Sequence, residues 1–237
     1  MSKIIHSLET PMYPPSMAGR LVGLPYYTAY RWLRGYKFSY EVQKGEKTKK
    51  THQRPVIKGK DSRYATFLEL IDLLFVKNFL KQPNISLQKI RQALIEIEKI
   101  LGDSHFARKK FFSDGKNIYM EIKDRQGEGK NIMQLLSGGQ WVIAPVIEKI
   151  YPKIDFDEQT EFAFRWYPQG REKSVVIDPR ISFGLPSIKS RGIKTSNIYD
   201  LYKAENKSIE AVSEWYEIKE NEVLDAIKYE ESLLVAA

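Results

Sequence analysis

The sequence predicts an α+β fold that is mainly α-helical. Apolar residues recur at helical spacing over 66–82, 86–102 and 195–234, and alternating apolar and polar residues predict short strands between them. Shifts in composition and charge divide the 237 residues into three regions. These are a helical N-terminal domain at 1–102, a middle segment with β-hairpins at 103–174, and a three-helix module at 175–237.

The positive charge is concentrated in the first quarter of the chain. The whole chain has a net charge of +8, whereas residues 1–60 contain twelve basic and three acidic residues, a net charge of +9. Residues 61–237 therefore have a net charge of −1. A basic surplus confined to one segment is typical of a protein that binds a polyanion such as nucleic acid.

The stretch PPSMAGRLVGLPYYTAYRWLRGYKF at 14–38 predicts two short helices joined by a tight turn. Prolines suit the first turn of a helix, and Gly23 allows the left-handed backbone that ends one. The second helix spans roughly 25–34 and stops at Gly35. Gly19 is small enough for the helices to cross there. This spacing indicates a helix-turn-helix, although a generic helical hairpin with exposed tyrosines remains the alternative.

The second of these helices has two chemically different faces. Ala29, Trp32 and Leu33 are expected to face the core. The opposite face then presents hydroxyl and guanidinium groups, which hydrogen-bond phosphates and base edges in the DNA major groove. The predicted DNA contacts on this helix are Tyr26, Tyr27, Thr28, Tyr30, Arg31 and Arg34.

A β-hairpin with a basic tip is predicted next. Phe38, Tyr40 and Val42 alternate, and Pro55-Val56-Ile57 is expected to return as the second strand. The cationic segment QKGEKTKKTHQR at 43–54 would by itself also fit a solvated loop. Its position beside the helix-turn-helix favours a DNA-binding wing. Its predicted phosphate contacts are Lys37, Lys44, Lys47, Lys49, Lys50, Arg54 and Lys58.

Two core helices follow, one opened by Thr66 and one opened by Ser86 and ended by Gly102. The order of helix-turn-helix, wing, helix, short break and SLQKIRQAL resembles the DNA-binding domain of the MerR family over about residues 13–101. The resemblance implies a recognition helix at 25–34 and a wing at 37–60. MerR proteins usually continue into a long antiparallel helix, which Gly102-Asp103 interrupts here, so the expected homodimer needs another contact.

The middle segment predicts a hairpin at 105–124 with its turn at Asp114-Gly115, and a short helix ending at Pro152. Two strands around a Pro-Gln-Gly turn are expected within 161–178. An aromatic cluster in this segment either lines an effector pocket or packs into the core. Its members are Phe162, Phe164, Trp166 and Tyr167.

The C-terminal region predicts a helix beginning near Thr195, a second capped by Ser208, and a third over 220–234. Together they have a second helix-turn-helix shape. The residues expected to face inward are Ile198, Leu201 and Tyr202 on the first helix, Ile209, Val212 and Trp215 on the second, and Val223, Leu224 and Ile227 on the third.

Five short motifs of this region resemble the C-terminal domain of long VapB-like antitoxins over about 175–234. They are IDPRI at 177–181, FGLP at 183–186, SRGIKTS at 190–196, SIE at 208–210 and AIKYE at 226–230. Lys194 stands where the family has a proline. The resemblance implies an antitoxin that represses its own operon by binding operator DNA and neutralises a PIN-like ribonuclease toxin.

The charge of this module argues against DNA as its main ligand. Residues 208–237 contain two lysines and eight carboxylates, and these carboxylates would repel phosphate. An acidic module suits dimerisation or a basic protein partner. The residues that could still contact DNA or a partner are Lys189, Arg191, Lys194, Thr195 and Lys203.

Other function classes find little support in the sequence. The absence of cysteine excludes thiolate chemistry, only three histidines are present, and no cofactor or metal is expected. Glu69 and Asp72 interrupt the longest apolar run, so we expect a cytoplasmic protein without a membrane span. No catalytic constellation is recognisable, which predicts a non-enzymatic protein. A MerR-like regulator that responds to an effector is the alternative to an antitoxin.

Overall fold

The computed structural model describes residues 3–41, 48–57, 59, 63–81, 85–102, 105–107 and 149–235. The predicted fold class is confirmed, because the described chain is mainly helical and its strands form small antiparallel sheets. The helices are α1 Lys3–Glu9, α2 Pro15–Val22, α3 Tyr26–Arg34, α4 Phe67–Phe79, α5 Leu87–Leu101, α6 Thr195–Ala204, α7 Ile209–Tyr216 and α8 Glu220–Val235. The strands are β1 Tyr36–Glu41, β2 Thr48–Gln53, β3 Ile154–Phe156, β4 Ala163–Trp166, β5 Val175–Val176 and β6 Ser187–Ile188.

Helices α2 and α3 are the two predicted short helices joined by a tight turn. Gly23 ends α2 with a left-handed φ of +68°, and the N–H of Leu24 donates to the carbonyl of Gly19 at 2.8 Å. A Cβ added to Gly19 would lie 2.9 Å from the Leu24 oxygen and 3.0 Å from the Ala29 Cβ, so the crossing tolerates no larger residue. Ala29, Trp32 and Leu33 are buried, which confirms the predicted inward face of α3.

The predicted hairpin is present as β1 and β2, which we call the wing hairpin after the predicted role, but its second strand lies elsewhere than predicted. β1 and β2 are antiparallel, with Tyr36 opposite Gln53. The prediction of a strand at 55–57 is wrong: the N–H groups of Val56 and Ile57 donate to the Trp32 carbonyl at 2.8 and 3.0 Å, which packs them against α3. Polar residues form β2 instead, and they carry no apolar alternation. The predicted tip at 42–47 lies outside the described residues.

Helix α4 is the centre of the N-terminal core. Thr66 and Glu69 form a capping box at its start, with each backbone N–H donating to the other side chain at 3.1 and 3.2 Å. Ser86 and Gly102 cap the two ends of α5, so both predicted helix starts are confirmed. The fully buried apolar side chains of α4 are Phe67, Leu68, Leu70, Ile71, Leu73, Phe75, Val76 and Phe79.

The middle segment attaches to the N-terminal core through Asp72. This buried carboxylate accepts the N–H of Phe106 at 2.7 Å and lies 2.6 Å from Nδ1 of His105. Most of the hairpin predicted at 105–124, and most of the helix predicted before Pro152, lie outside the described residues. β3 pairs with β4, and β4 and β5 confirm the two strands predicted within 161–178.

Three helices follow in the C-terminal region, as predicted. Ser208 caps α7 by accepting the N–H of Ala211 at 3.2 Å. The predicted inward positions of Trp215 and Leu224 are wrong, because these side chains are 74% and 36% exposed. The buried stripe of α7 follows residues 209, 212 and 216, and Trp215 lies off it.

The N-terminal and C-terminal regions contact each other directly. The hydroxyl of Tyr13, which is fully buried, donates to the carbonyl of Gly184 at 2.9 Å. Arg20 on α2 lies 3.6 Å from the carboxylate of Glu230 on α8. The backbone of Tyr13 also pairs with Ala65 beside α4, so this residue joins three parts of the chain.

Candidate nucleic-acid interface and C-terminal module

Helix α3 presents a surface that we call the aromatic face, formed by Tyr26, Tyr27, Tyr30 and Arg31. The tyrosines are 48%, 72% and 41% exposed, and Arg31 is exposed as well. The ring centroid of Tyr26 lies 5.1 Å from that of Tyr27 and 5.9 Å from that of Tyr30. These four side chains therefore lie at the surface, as predicted.

Arg31 connects the aromatic face to the wing. Its guanidinium carbon lies 4.9 Å from the ring centroid of Tyr36, the first residue of β1. The guanidinium is thus held above the hairpin by a cation–π contact while it remains exposed. Thr28, the remaining predicted contact in the first turn of α3, is half-buried.

Arg34 does not belong to the aromatic face, which corrects the prediction. Its Nε and Nη2 atoms are buried, and its Nη1 donates to the Leu33 carbonyl at 3.1 Å. A methyl group added to Gly59 would lie 2.7 Å from Arg34 Nη1 and 3.2 Å from Glu69 Oε1. Helical periodicity groups Arg34 with Tyr27 and Tyr30, but its long side chain folds back toward α4.

The wing places some of the predicted cations beside α3. Lys37 and Arg54 are exposed, and they flank the open end of the hairpin. Lys49 and Lys50 lie in β2, where they pair with Tyr40 and Ser39. Lys44, Lys47 and Lys58 lie outside the described residues. The wing contacts with DNA therefore stay predictions.

Lys77 stabilises the end of α2 that precedes the turn. Its Nζ donates to the Val22 carbonyl at 2.7 Å, and a Cβ added to Gly23 would lie 2.8 Å from the same atom. Burial lowers the pKa of Lys77, and the neighbouring charges of Lys81 and Lys149 lower it further. A cation at a helix C-terminus is favourable because carbonyl groups there lack helical partners.

Around the IDPR motif, the buried carboxylate of Asp178 pairs with two partly exposed arginines, and we call Asp178, Arg165 and Arg180 the Asp178 cluster. Asp178 is 1% exposed and accepts hydrogen bonds from Arg165 Nε at 3.0 Å and from Arg180 Nη2 at 2.7 Å. The N–H of Arg180 also donates to it at 2.9 Å. Burial alone would raise the pKa of Asp178, but the hydrogen bonds and charge of Arg180 and the charge of Arg165 outweigh burial and lower it.

The aromatic cluster predicted in the middle segment is divided among several environments. The ring centroid of Phe164 lies 4.4 Å from the guanidinium carbon of Arg180 and 5.5 Å from that of Arg165. The Tyr167 hydroxyl donates to Asp155 at 2.9 Å. Phe162 meets the edge of His105. Trp166 lines a cleft between α2 and α8.

That cleft has a volume of about 240 Å³ and lies between α2, the end of β4 and α8. The Tyr229 hydroxyl and Gln169 Oε1, on two of its lining residues, are buried without a hydrogen-bond partner among the described residues. Burial raises the pKa of Tyr229. The lining residues are Arg20, Leu21, Val22, Gly23, Trp166, Pro168, Gln169, Tyr229, Ser232 and Leu233.

The second predicted contact region is only partly at the surface. Lys189 and Arg191 are exposed, and Lys194 is half-buried. The prediction for Thr195 is wrong, because its side chain is fully buried and its hydroxyl donates to Glu230 Oε1 at 2.5 Å. Thr195 therefore has a structural role at the start of α6.

Two other properties concern the described residues only. No group of three or more histidine, aspartate or glutamate side chains there could hold a metal ion. None of the described helices has the length and apolar character needed to cross a membrane.

Comparison with known proteins gives three similarities. The family model described as "Protein of unknown function (DUF433)" matches residues 175–229, which contain Asp178, Arg180, α6, α7 and most of α8. A protein of Mycobacterium tuberculosis named "Putative antitoxin VapB45" is 22% identical over 229 residues, covering 92% of this chain and 93% of that protein. The similarity to an antitoxin therefore extends well beyond the C-terminal module.

The third similarity is to a solved structure. The crystal structure of Rv2018 from Mycobacterium tuberculosis superposes with a TM-score of 0.65 at 20% sequence identity. The match covers 93% of this chain and 99% of that one. The two proteins therefore share a fold over nearly their whole length.

Proposed function

We propose that this protein is a non-enzymatic, DNA-binding antitoxin that acts in the cytoplasm. In this proposal the aromatic face and the wing bind the operator of the protein's own operon, and the C-terminal module binds and neutralises a ribonuclease toxin of the PIN-like class. The observation that carries the proposal is the exposure of Tyr27, Tyr30 and Arg31 on one face of α3. That face lies within the segment that holds the whole basic surplus of the chain.

The DNA half of the proposal rests on shape and charge together. The tight crossing at Gly19 fixes α3 against α2, so that α3 projects its polar face outward. A helix of nine residues fits the major groove, where tyrosine hydroxyls and arginine reach bases and phosphates. As a homodimer, the protein would present two such helices to a two-fold symmetric operator.

The antitoxin half rests on similarity and on the charge of the C-terminal helices. The relative named as an antitoxin matches the chain along most of its length. Residues 208–237 have a net charge of −6, which disfavours DNA and favours a basic protein. A ribonuclease must attract RNA, so its surface carries the complementary charge.

Operator binding is tested with the full-length protein and a duplex taken from upstream of its own coding region. Fluorescence anisotropy should show binding about 1,000-fold or more tighter than to a scrambled duplex of equal length. Changing Lys44, Lys47, Lys49 and Lys50 to Gln should reduce the salt slope by about 0.9 for each phosphate that the wing no longer neutralises. Equal affinity for the two duplexes would contradict the DNA-binding role, and an unchanged salt slope would remove the wing from it.

Toxin neutralisation is tested by co-expression with the product of the adjacent reading frame. That product alone should arrest growth, and the full-length chain should restore it. If the neighbouring product is harmless, or if arrest persists when both proteins accumulate, the antitoxin role is contradicted.

The cleft beside α2 favours one alternative, an effector-responsive regulator. A ligand bound between α2 and Trp166 would contact the helix-turn-helix directly and could shift its affinity for DNA. Operator affinity measured with and without a small-molecule extract of host cells separates the two functions. An affinity that changes with the extract favours the regulator, whereas an unchanged affinity combined with growth rescue favours the antitoxin.

A further inference from the structure

Trp215 is an exposed aromatic side chain of the C-terminal region, where Phe183 and Leu234 are also exposed. It lies near the end of α7 and is 74% exposed. We propose that the toxin docks on this part of α7, with Trp215 inserted into the toxin surface. This inference deepens the proposed function and rests on it.

Exposed carboxylates lie within five residues of Trp215 in the sequence, and we call the exposed side formed by Trp215, Glu210, Glu214 and Glu217 the acidic face. Glu210 and Glu214 are exposed and lie four residues apart, so they are neighbours on one side of α7. Glu217 follows at the C-cap, with its side chain 77% exposed and 3.3 Å from Arg191. At that exposure the pair with Arg191 adds little stability and can exchange for another cation.

Other carboxylates of this module are already committed to contacts inside the chain. Glu222 accepts the Ser190 hydroxyl at 2.6 Å, Asp225 pairs with Lys173 at 3.0 Å, and Glu230 accepts the Thr195 hydroxyl. Asp225 and Glu230 are also buried. The module thus uses one set of acids for its own fold and leaves the acidic face directed to solvent.

Charge decides between the possible occupants of this face. A second copy related by a two-fold axis would set the same carboxylates against one another, which is unfavourable. Nucleic acid would be repelled for the same reason. A basic protein provides cations for the glutamates and a surface in which an aromatic side chain can be buried. Tryptophan is among the residues that most often dominate the binding energy of protein interfaces.

The test uses the full-length protein and the purified toxin that the wild-type chain neutralises. Calorimetry should show that Trp215→Ala weakens toxin binding by at least about 30-fold. Leu234→Ala is the matched control, because Leu234 is also an exposed apolar residue, 59% exposed on α8, and its loss should leave the affinity unchanged. Because Trp215 buries little surface, Trp215→Ala should unfold at the same urea concentration as the wild type.

A second variant tests the charge directly and does not depend on the tryptophan. Glu210→Lys combined with Glu214→Lys should slow association and remove most of its salt dependence. Glu231→Lys, at an exposed position of α8, is the control. It should change neither the association rate nor its salt dependence strongly.

Three results would overturn the inference. If the wild-type chain fails to bind the toxin, both the proposed function and the docking surface are wrong. If the wild type binds and both acidic-face variants bind equally well, only the docking surface is wrong. If Trp215→Ala changes the sedimentation mass of the protein without toxin, the face joins copies of this chain instead.

Discussion

Two helix pairs in this molecule have the same local geometry and opposite surfaces. α2 ends at Gly23, where the N–H of Leu24 donates to Gly19 at 2.8 Å, and α7 ends at Glu217, where the N–H of Ile218 donates to Ser213 at 3.1 Å. Both end residues have left-handed backbones, with φ of +68° and +50°. These are matching Schellman-type ends.

The pairs differ in what they present to solvent. α3, after the first turn, exposes tyrosines and Arg31, whereas α7 and the start of α8 expose Trp215 and glutamates. The shape of a helix pair therefore does not decide its ligand. The charge and chemistry of the exposed side chains do, and this is why we propose DNA as the ligand of the first pair and a protein as the ligand of the second.

The largest expected change in stability comes from removing a buried carboxylate of the C-terminal module, compared with removing an exposed one. Asp178→Ala should lower the free energy of unfolding by about 2–3 kcal/mol, because the variant loses the charge-assisted hydrogen bonds from Arg165 and Arg180, whose side chains are 19% and 37% exposed. Asp200→Ala removes a carboxylate from an exposed pair with Lys203 and should cause no measurable change. Urea unfolding of both variants provides the comparison, and equal stability would show that the Asp178 cluster is not a structural element.

The same carboxylate makes a pH prediction. Because the pKa of Asp178 is lowered in the folded protein, its stabilising effect is fully present above the unfolded-state pKa of about 3.9 and is lost as the pH falls through the folded-state pKa. The wild type should therefore lose stability more steeply below about pH 4 than Asp178→Asn. Parallel curves of unfolding free energy against pH would refute this.

Arg31 and Arg34 sharpen the comparison within α3 itself. Arg31→Ala should weaken operator binding by about 1–3 kcal/mol and lower the free energy of unfolding by about 1 kcal/mol at most, since Arg31 is exposed and loses a cation–π contact with Tyr36. Arg34→Ala should instead lower stability by about 1–3 kcal/mol, since two of its guanidinium nitrogens are buried and its side chain packs beside Gly59 and Glu69. Equal losses of operator affinity in the two folded variants would restore Arg34 to the DNA-binding surface.

The smallest effects concern the two helix ends. Gly23→Ala should destabilise the protein by about 1–2 kcal/mol, because a Cβ is unfavourable at positive φ. Glu217→Gly should stabilise the protein by about 1 kcal/mol at most, because glycine removes the same backbone strain at the end of α7. Thermal unfolding measures both, and shifts of the same sign would mean that the two ends are not equivalent.

Local sequence features predicted most of the helices. The caps at Thr66, Ser86 and Ser208 and the glycines that end α2, α3 and α5 depend on neighbouring residues, and they are found where expected. Features that depend on tertiary packing were missed. β2 has a polar sequence on an exposed hairpin, so no apolar alternation marks it.

The candidate site shows the same division. The outward position of Tyr27, Tyr30 and Arg31 follows from helical period, whereas the inward turn of Arg34 depends on Gly59 and Glu69, which come later in the chain. The sequence showed the IDPR motif but not the ion pairs of the Asp178 cluster, because Arg165 lies on β4, away from the motif in the chain. Trp215 was predicted inward because a large apolar residue near a buried stripe resembles a core residue.

The hydrogen bond between Tyr13 and Gly184 joins positions 171 residues apart. A ribosome adding about 5–20 residues per second needs roughly 10–35 s to synthesise the intervening chain. During that interval the nascent N-terminal region lacks an acceptor that its buried tyrosine uses in the finished molecule. Prematurely terminated products should therefore be less stable than the complete chain around Tyr13, and under the proposed function they would compete less well for the operator.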